Sequence, residues 1–252
     1  MKKTITVLAY NRPQYLGSCL LALSRCRGIA DYSAIVSIDG GGDRRQVIND
    51  TGLTVICQEK NFGIDHHNEA MYNHVFKELD SEFNLALEDD VILTPDALEV
   101  CDWFLSQPKW GRYAWLSLGN YAREWLYLDP YQKILEGQGI YTSAWAMGRE
   151  SWERMEPNWC QHMYSQVGWD WSLSYVAWLN QWKSLEPVVA RARNIGRTGV
   201  HAFAEWFDQN VAPSIYSDGR PATSFEVIPW EPEEPPNWVK REEEARARHV
   251  KA

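Results

Sequence analysis

The stretch FNLALEDDVILTPDAL, residues 83–98, decides how this chain reads. An apolar run, Leu85-Ala86-Leu87, meets three consecutive carboxylates, Glu88-Asp89-Asp90, and apolar residues resume at Val91-Ile92-Leu93. Residues 83–87 predict a strand that leaves a core at Glu88. Like charges side by side repel and raise one another's pKa, so the cluster is costly unless a cation or the solvent relieves it. Thr94 then reads as a helix cap, with Pro95 in the first turn of a helix ending near Ser106.

Upstream of this stretch the same alternation repeats. Residues 4–9 (TITVLA), 34–38 (AIVSI) and 53–57 (LTVIC) are β-rich runs. Between them, residues 13–26 carry Leu16, Leu20, Leu21 and Leu23 at helical spacing, and residues 66–79 also read as a helix. This rhythm predicts an α/β fold: a mostly parallel, Rossmann-like sheet between helices. Downstream, residues 114–118 and 141–147 are candidate strands, and residues 150–155 and 169–180 candidate helices. From residue 228, IPWEPEEPPNW and a charged run, KREEEARARHVKA, predict a tail that leaves the core. The chain thus divides into a single domain, residues 1–227, and a tail, residues 228–252.

Each early strand ends in polar or glycine-rich residues. The first exits into Tyr10-Asn11-Arg12, the second into Asp39 and a run of glycines, the third toward Asn61-Phe62-Gly63, and the fourth into Glu88-Asp89-Asp90. In an open parallel sheet that rim is where ligands bind. Neither GxGxxG nor GxxxxGK[ST] is present, which weakens dinucleotide and NTPase readings. Asp39 could accept hydrogen bonds from a base or ribose, and Tyr10 could stack on a base or simply pack. Asp89 and Asp90 could hold a hard divalent cation that bridges two phosphates, or form an ordinary acidic turn. A nucleoside diphosphate with Mn²⁺ or Mg²⁺ accounts for all four strand ends.

Composition narrows the classes. At 252 residues one sizeable core is expected, and a net charge of −9 argues against nonspecific nucleic-acid binding through phosphates. The five cysteines form no CxxC pair and read as reduced thiols of a cytoplasmic protein. The N-terminus, MKKTITVLAYNRP, offers no apolar run long enough for a membrane span. Fourteen tryptophans fit either an aromatic-lined cleft or a Trp-rich core.

ALEDDVILTPDALE resembles the metal-binding segment of GT-A glycosyltransferases, closest to the N-acetylglucosaminyltransferase I family. SAWAMGRESWERMEPNW, GWDW and RARNIGRTGVHAFAEWFDQN resemble further segments of that family, in the same order over roughly residues 4–210. Trp169 stands where the family has the first Asp of a pair, and the loop before His201 is one residue shorter. The resemblance implies a GT-A fold, with a nucleotide-sugar half at about residues 1–110 and an acceptor half at about 111–227. It implies an inverting, metal-dependent transfer of a sugar, GlcNAc first, from a UDP-sugar donor to an acceptor hydroxyl. Asp90 is then the direct metal ligand, with His201 a second candidate for the metal or diphosphate, and Asp170 the catalytic base. Glu88, Asp89, Tyr10, Asn11, Arg12, Asp39, Asn61, Gly63 and Arg197 are candidates for the nucleotide and its phosphates.

The residues also permit blander roles. Asp170 could be an ordinary acidic residue at a helix N-terminus, His201 a packed histidine, and Arg197 a surface ion-pair partner. Two alternative functions stay open: a bacterial or phage enzyme of the same fold that glycosylates a hydroxymethylated DNA base or a surface glycan, and a non-catalytic binder of glycans or sugar nucleotides.

Overall fold

The computed structural model describes residues 1–40, 53–120, 130–138, 141–159, 169–197, 204–229 and 237–250. Strand β1 (Lys3–Ala9) is buried along almost its whole length, as expected of a β-branched, apolar segment inside a parallel sheet. It lies parallel between β2 (Ser33–Ile38) and β4 (Phe83–Glu88), and β3 (Thr54–Cys57) extends the sheet beyond β2. Helix α1 (Pro13–Leu23) connects β1 to β2, and α2 (Gly63–Asn73), continued by a π-helical turn at His74–Glu78, connects β3 to β4. The order 3-2-1-4 places a change of winding direction between β1 and β4.

Beyond β4 the sheet turns mixed. β8 (Ala144–Gly148) is antiparallel to β4, followed outward by β6 (Leu116–Ser117), β9 (Ser184–Pro187), β7 (Lys133–Gly137) and β11 (Glu226–Pro229). A separate antiparallel ribbon joins β5 (Val91–Leu93) to β10 (Ala192–Asn194), with Val91 opposite Asn194 and Leu93 opposite Ala192. The remaining helices are α3 (Ala97–Ser106), α4 (Arg149–Met155), α5 (Trp169–Leu179), α6 (Ala204–Asn210) and α7 (Asn237–Val250).

Both faces of the sheet are covered, and the strand alternation sorts the core into two layers. Ile5, Val7, Leu85 and Leu87 point to one face, against Leu16, Cys19 and Leu23 of α1 and Leu98, Cys101 and Phe104 of α3. Leu8 and Ala86 point to the other, against Met71 and Tyr72 of α2, Trp152 of α4 and Leu173 of α5. On that second face Trp115, Trp145, Trp152, Trp159 and Trp169 are all buried. Tyr72 stacks on Trp152 at 5.0 Å, and Trp159 on Trp169 at 5.1 Å. These tryptophans therefore fill the core and do not line a cleft; each pair adds on the order of 1 kcal/mol beyond its buried area.

Three element boundaries differ from the sequence reading. Helix α2 starts at Gly63, with φ +76°, and not at His66, because Asp39 satisfies its first amides. Helix α3 starts at Ala97, with Asp96 at its cap position; the Thr94 hydroxyl donates to Asp96 Oδ1 at 2.7 Å, and Pro95 precedes the helix. The expected tail boundary at residue 228 falls inside β11, which pairs parallel with β7 through Pro229. An edge strand tolerates a proline that lacks an N–H, so the Pro-rich composition does not stop pairing there. Val239 and Glu242 of α7 are buried, so this charged helix also packs on the domain.

A buried ion pair holds the β5–β10 ribbon. Arg191 immediately precedes β10, Asp96 follows β5 by three residues, and both side chains are fully buried with Nε 3.0 Å from Oδ2. Tyr131 Oη donates to Asp96 Oδ2 at 2.9 Å, and Ser217 Oγ to Oδ1 at 2.8 Å.

Candidate active site at the switch point

The carboxyl ends of β1 and β4 are neighbours at the change of winding direction, the place where open α/β sheets bind ligands. β1 delivers Tyr10, Asn11 and Arg12; β4 delivers Glu88 and the turn Asp89-Asp90. Arg12 Nη1 donates to Asp90 Oδ2 at 2.6 Å, and Nη2 forms a second ion pair with Asp89 Oδ1. Both aspartates are buried, while the Arg12 side chain keeps 31% exposure. A cavity of about 320 Å³ opens beside them, lined by Ala9, Tyr10, Asn11, Arg12, Pro13, Leu16 and Ile38.

The ribbon supplies the other side of Asp90. Asn194 Nδ2 donates to Asp90 Oδ1 at 3.2 Å and to Ser143 Oγ at 3.0 Å, while Asn194 Oδ1 accepts the Gly196 amide at 2.7 Å. The Ile195 amide donates to the Asp90 carbonyl at 2.8 Å. A Cβ on Gly196 would lie 1.9 Å from Asp90 Oδ2, so any side chain there would push this carboxylate out of its place. Asn194, Gly196 and Ser143 lie in segments that the resemblance covers, but no local pattern assigns them a place at Asp90, which they reach across the ribbon or through Asn194.

Crowding sets the electrostatics. Loss of water and then the charge of Asp90 push the Glu88 carboxyl up to about 8, against Ser143 and Arg12, which work to lower it. Burial raises Asp89 as well, and Arg12 offsets this only in part. Burial would lower Arg12, but Asp90 and Asp89 more than reverse that and hold the guanidinium charged. One guanidinium faces two aspartates, so the corner keeps excess negative charge. Asp89 Oδ2 is buried without a hydrogen-bond partner among the described residues. No three His, Cys, Asp or Glu side chains converge into a metal cage among the described residues. The corner therefore fits a hard cation that takes one or two carboxylates and completes its shell with phosphate and water oxygens.

The carboxyl ends of β2 and β3 come next along the same rim. The Asp39 amide donates to the Ala9 carbonyl at 2.8 Å, which joins the end of β2 to β1. Asp39 Oδ1 and Oδ2 accept the amides of Phe62 and Gly63 at 2.8 and 3.0 Å, so this carboxylate anchors the N-terminus of α2. Asn61 Oδ1 also accepts the Gly63 amide, at 2.8 Å. A Cβ on Gly40 would lie 1.9 Å from the Asn61 amide nitrogen, so the exits of β2 and β3 touch.

His67 Nε2 meets Ser37 Oγ at 2.7 Å. His66 and His67 diverge, since His66 is exposed and lies 3.5 Å from Glu69. Burial lowers the His67 pKa, against the pull of Asp39. The folded state then binds fewer protons than the unfolded chain below about pH 6.5, and His67 costs stability as pH falls through that value. Glu88, raised on folding, acts in the opposite sense, so the comparison with a variant is the clean one. Urea unfolding at pH 7.5 and 5.5 is expected to show His67→Gln gaining about 1 kcal/mol on wild type at the lower pH. A difference that does not change with pH would refute this.

Arg197, one residue past Gly196, forms a two-pronged ion pair with Asp208 of α6 at 2.9 and 2.6 Å. Asp170 is half-buried in the first turn of α5, between buried Trp169 and exposed Trp171. His201 lies outside the described residues.

Solved structures share this arrangement of strands. S. aureus TarS 1-349 superposes with a TM-score of 0.57 at 14% identity, covering 78% of this chain and 61% of that one. The same protein in complex with UDP gives 0.55 at 15% identity, covering 76% and 60%. The chain thus spans about three-fifths of those structures, and the likeness shows a shared fold. No curated protein sequence matches the chain. Among the described residues no helix is long and apolar enough to cross a membrane. Where the sequence motifs point to N-acetylglucosaminyltransferase I, the family description that matches is N-acetylglucosaminyltransferase II, over residues 57–214. That match spans the acidic corner, Asp170 and the ribbon that carries Asn194 and Gly196. Together with the GT-A sheet, it makes the chain a glycosyltransferase of the N-acetylglucosaminyltransferase II (MGAT2) family.

Proposed function

We propose that the chain is an inverting, divalent-cation-dependent transferase that moves a sugar, GlcNAc by its family, from a UDP-sugar to an acceptor hydroxyl. One observation carries this reading: two buried aspartates with surplus negative charge face a guanidinium at the β1–β4 switch point. The UDP in a TarS structure supports a uridine donor. Asp90, through Oδ2, and Asp89, through its unpartnered Oδ2, would hold the cation. When bound, it supplies Lewis-acid neutralisation of the charge that develops on the departing diphosphate.

The chain's own groups do the rest. Tyr10 and Asn11 at the cavity wall receive the base, and the neighbouring strand ends with Asp39, Asn61 and Gly63 are assigned to the ribose. Arg12 supplies positive charge to the phosphates, and Arg197 and His201 are assigned the same task. Asp170 accepts the proton of the attacking hydroxyl, a role that contributes on the order of 10²–10⁴-fold. A single displacement needs one such base and inverts the anomeric centre.

Hydrolysis and transfer from a panel of UDP- and GDP-sugars, with and without Mn²⁺, tests the donor and the cation. UDP-GlcNAc with Mn²⁺ is expected to be turned over fastest. Asp170→Asn is expected to lose transfer by at least ~10²-fold while binding UDP as wild type does. Full activity in that variant removes Asp170 from the chemistry, and no binding of any nucleotide-sugar removes the donor reading.

A further inference from the structure

The guanidinium of Arg12 sits where a cation would have to bind. Its Nη1 lies 2.6 Å from Asp90 Oδ2, the oxygen beside Gly196, while Oδ1 is already engaged by Asn194. Its Nη2 takes Asp89 Oδ1. Arg12 lines the cavity and the two aspartates do not. Its side chain is 31% exposed against 3% and 5% for theirs, so it covers them from the solvent side. The guanidinium therefore lies between the aspartates and the cavity, on the path by which a ligand would reach them. The centroid of the Tyr15 ring lies 5.3 Å from the guanidinium carbon.

Resting on the cation reading above, we propose that Arg12 is a resident counter-ion that plugs the Asp89–Asp90 corner in the nucleotide-free protein, and that it competes with the divalent cation for Asp90 Oδ2. An arginine stays charged at any working pH, so proton loss cannot vacate the place; the guanidinium has to move. A diphosphate in the adjoining cavity offers it two-pronged oxygen acceptors of the same kind. Donor binding thereby draws Arg12 off the aspartates and opens the corner, so that nucleotide and cation load together. The device offsets part of the charge of the buried acids between turnovers and disfavours a cation bound without its donor.

The test is Mn²⁺ binding, read from the free-ion electron paramagnetic resonance signal with the full chain and no turnover. Without nucleotide, Arg12→Gln is expected to bind Mn²⁺ on the order of tenfold tighter than wild type. Arg12→Lys, which keeps a charge but not the two-pronged reach, is expected to fall between them and serves if the glutamine variant does not fold. Added guanidinium chloride at millimolar concentration is expected to weaken Mn²⁺ binding to Arg12→Gln and not to wild type, which a merely structural role would not produce. Saturating UDP is expected to close most of the gap between variant and wild type. Folded variants that bind Mn²⁺ no tighter than wild type without UDP would overturn the competition. If neither wild type nor variant binds Mn²⁺ even with UDP, or if Asp90→Ala binds it unchanged, the cation reading itself is lost, and the two failures are told apart.

Discussion

Asp90→Ala is expected to lower Mn²⁺-dependent turnover of a UDP-sugar by on the order of 10³-fold, with the fold intact. The magnitude is that of removing a group that stabilises transition-state charge inside a preorganised site. Asp90 is the most constrained carboxylate of the corner: Arg12 holds one oxygen, Asn194 the other, and the Ile195 amide its carbonyl. The variant should still fold. Its loss relieves the repulsion that Asp90 exerts on Asp89 and Glu88. Arg12 keeps Asp89 and reaches water, so no buried charge is left alone. Released UDP measures the effect, and circular dichroism checks the fold. A folded Asp90→Ala protein within tenfold of wild-type turnover would place the catalytic charge elsewhere.

A second large effect is expected far from the chemistry. Asp96→Ala should cost about 3–5 kcal/mol of stability, the usual penalty for stranding one member of a buried ion pair. Arg191 has no exposure and would keep its hydrogen bonds to the carbonyls of Tyr131, at 2.7 Å, and Val189. It would lose the carboxylate that neutralises it. Asp96 is held firmly: burial alone would raise its pKa, but Thr94, Ser217, Arg191 and Tyr131 bring it below the ordinary carboxylate value. Its contribution is therefore present at neutral pH and is lost as pH falls below about 4. Urea unfolding of wild type and Asp96→Ala at pH 7 measures the loss. Asp96→Leu combined with Arg191→Met should cost less than the two single changes added, because both charges leave together. A single-variant loss under about 1 kcal/mol would show that solvent reaches the pair.

The pair also matters to the site through the ribbon. The Thr94 amide donates to the Arg191 carbonyl at 2.9 Å, just before Leu93 pairs with Ala192. Two rungs further along, Val91 faces Asn194, and Asn194 holds Asp90. The buried charges thus fix one end of a short ribbon whose other end positions the acidic corner.

Much of this was legible in the chain. Strand and helix alternation, the parallel sheet with helices on both faces, and the gathering of four strand ends on one rim all follow from local periodicity and from how strands terminate. The acidic corner was legible for the same reason: LALEDD states both the strand and its polar end. The short strands β7, β9 and β11 were not, since runs of four or five residues carry too little pattern. The tryptophans were ambiguous, because an aromatic residue serves a core or a cleft equally well until its neighbours are known.

The sequence by itself determined which residues reach the rim: Tyr10 to Arg12, Asp39, Asn61 and Glu88 to Asp90. Only the tertiary structure decided what each does there. It put Arg12 on both aspartates, turned both oxygens of Asp39 to the start of α2, and closed Asp90 from behind with Asn194 and Gly196. Residues reach the rim through short-range patterning along the chain. Arg12 and Asp90 are 78 positions apart and Asn194 and Asp90 are 104, so their pairing depends on how strands order in the sheet, which no local window contains.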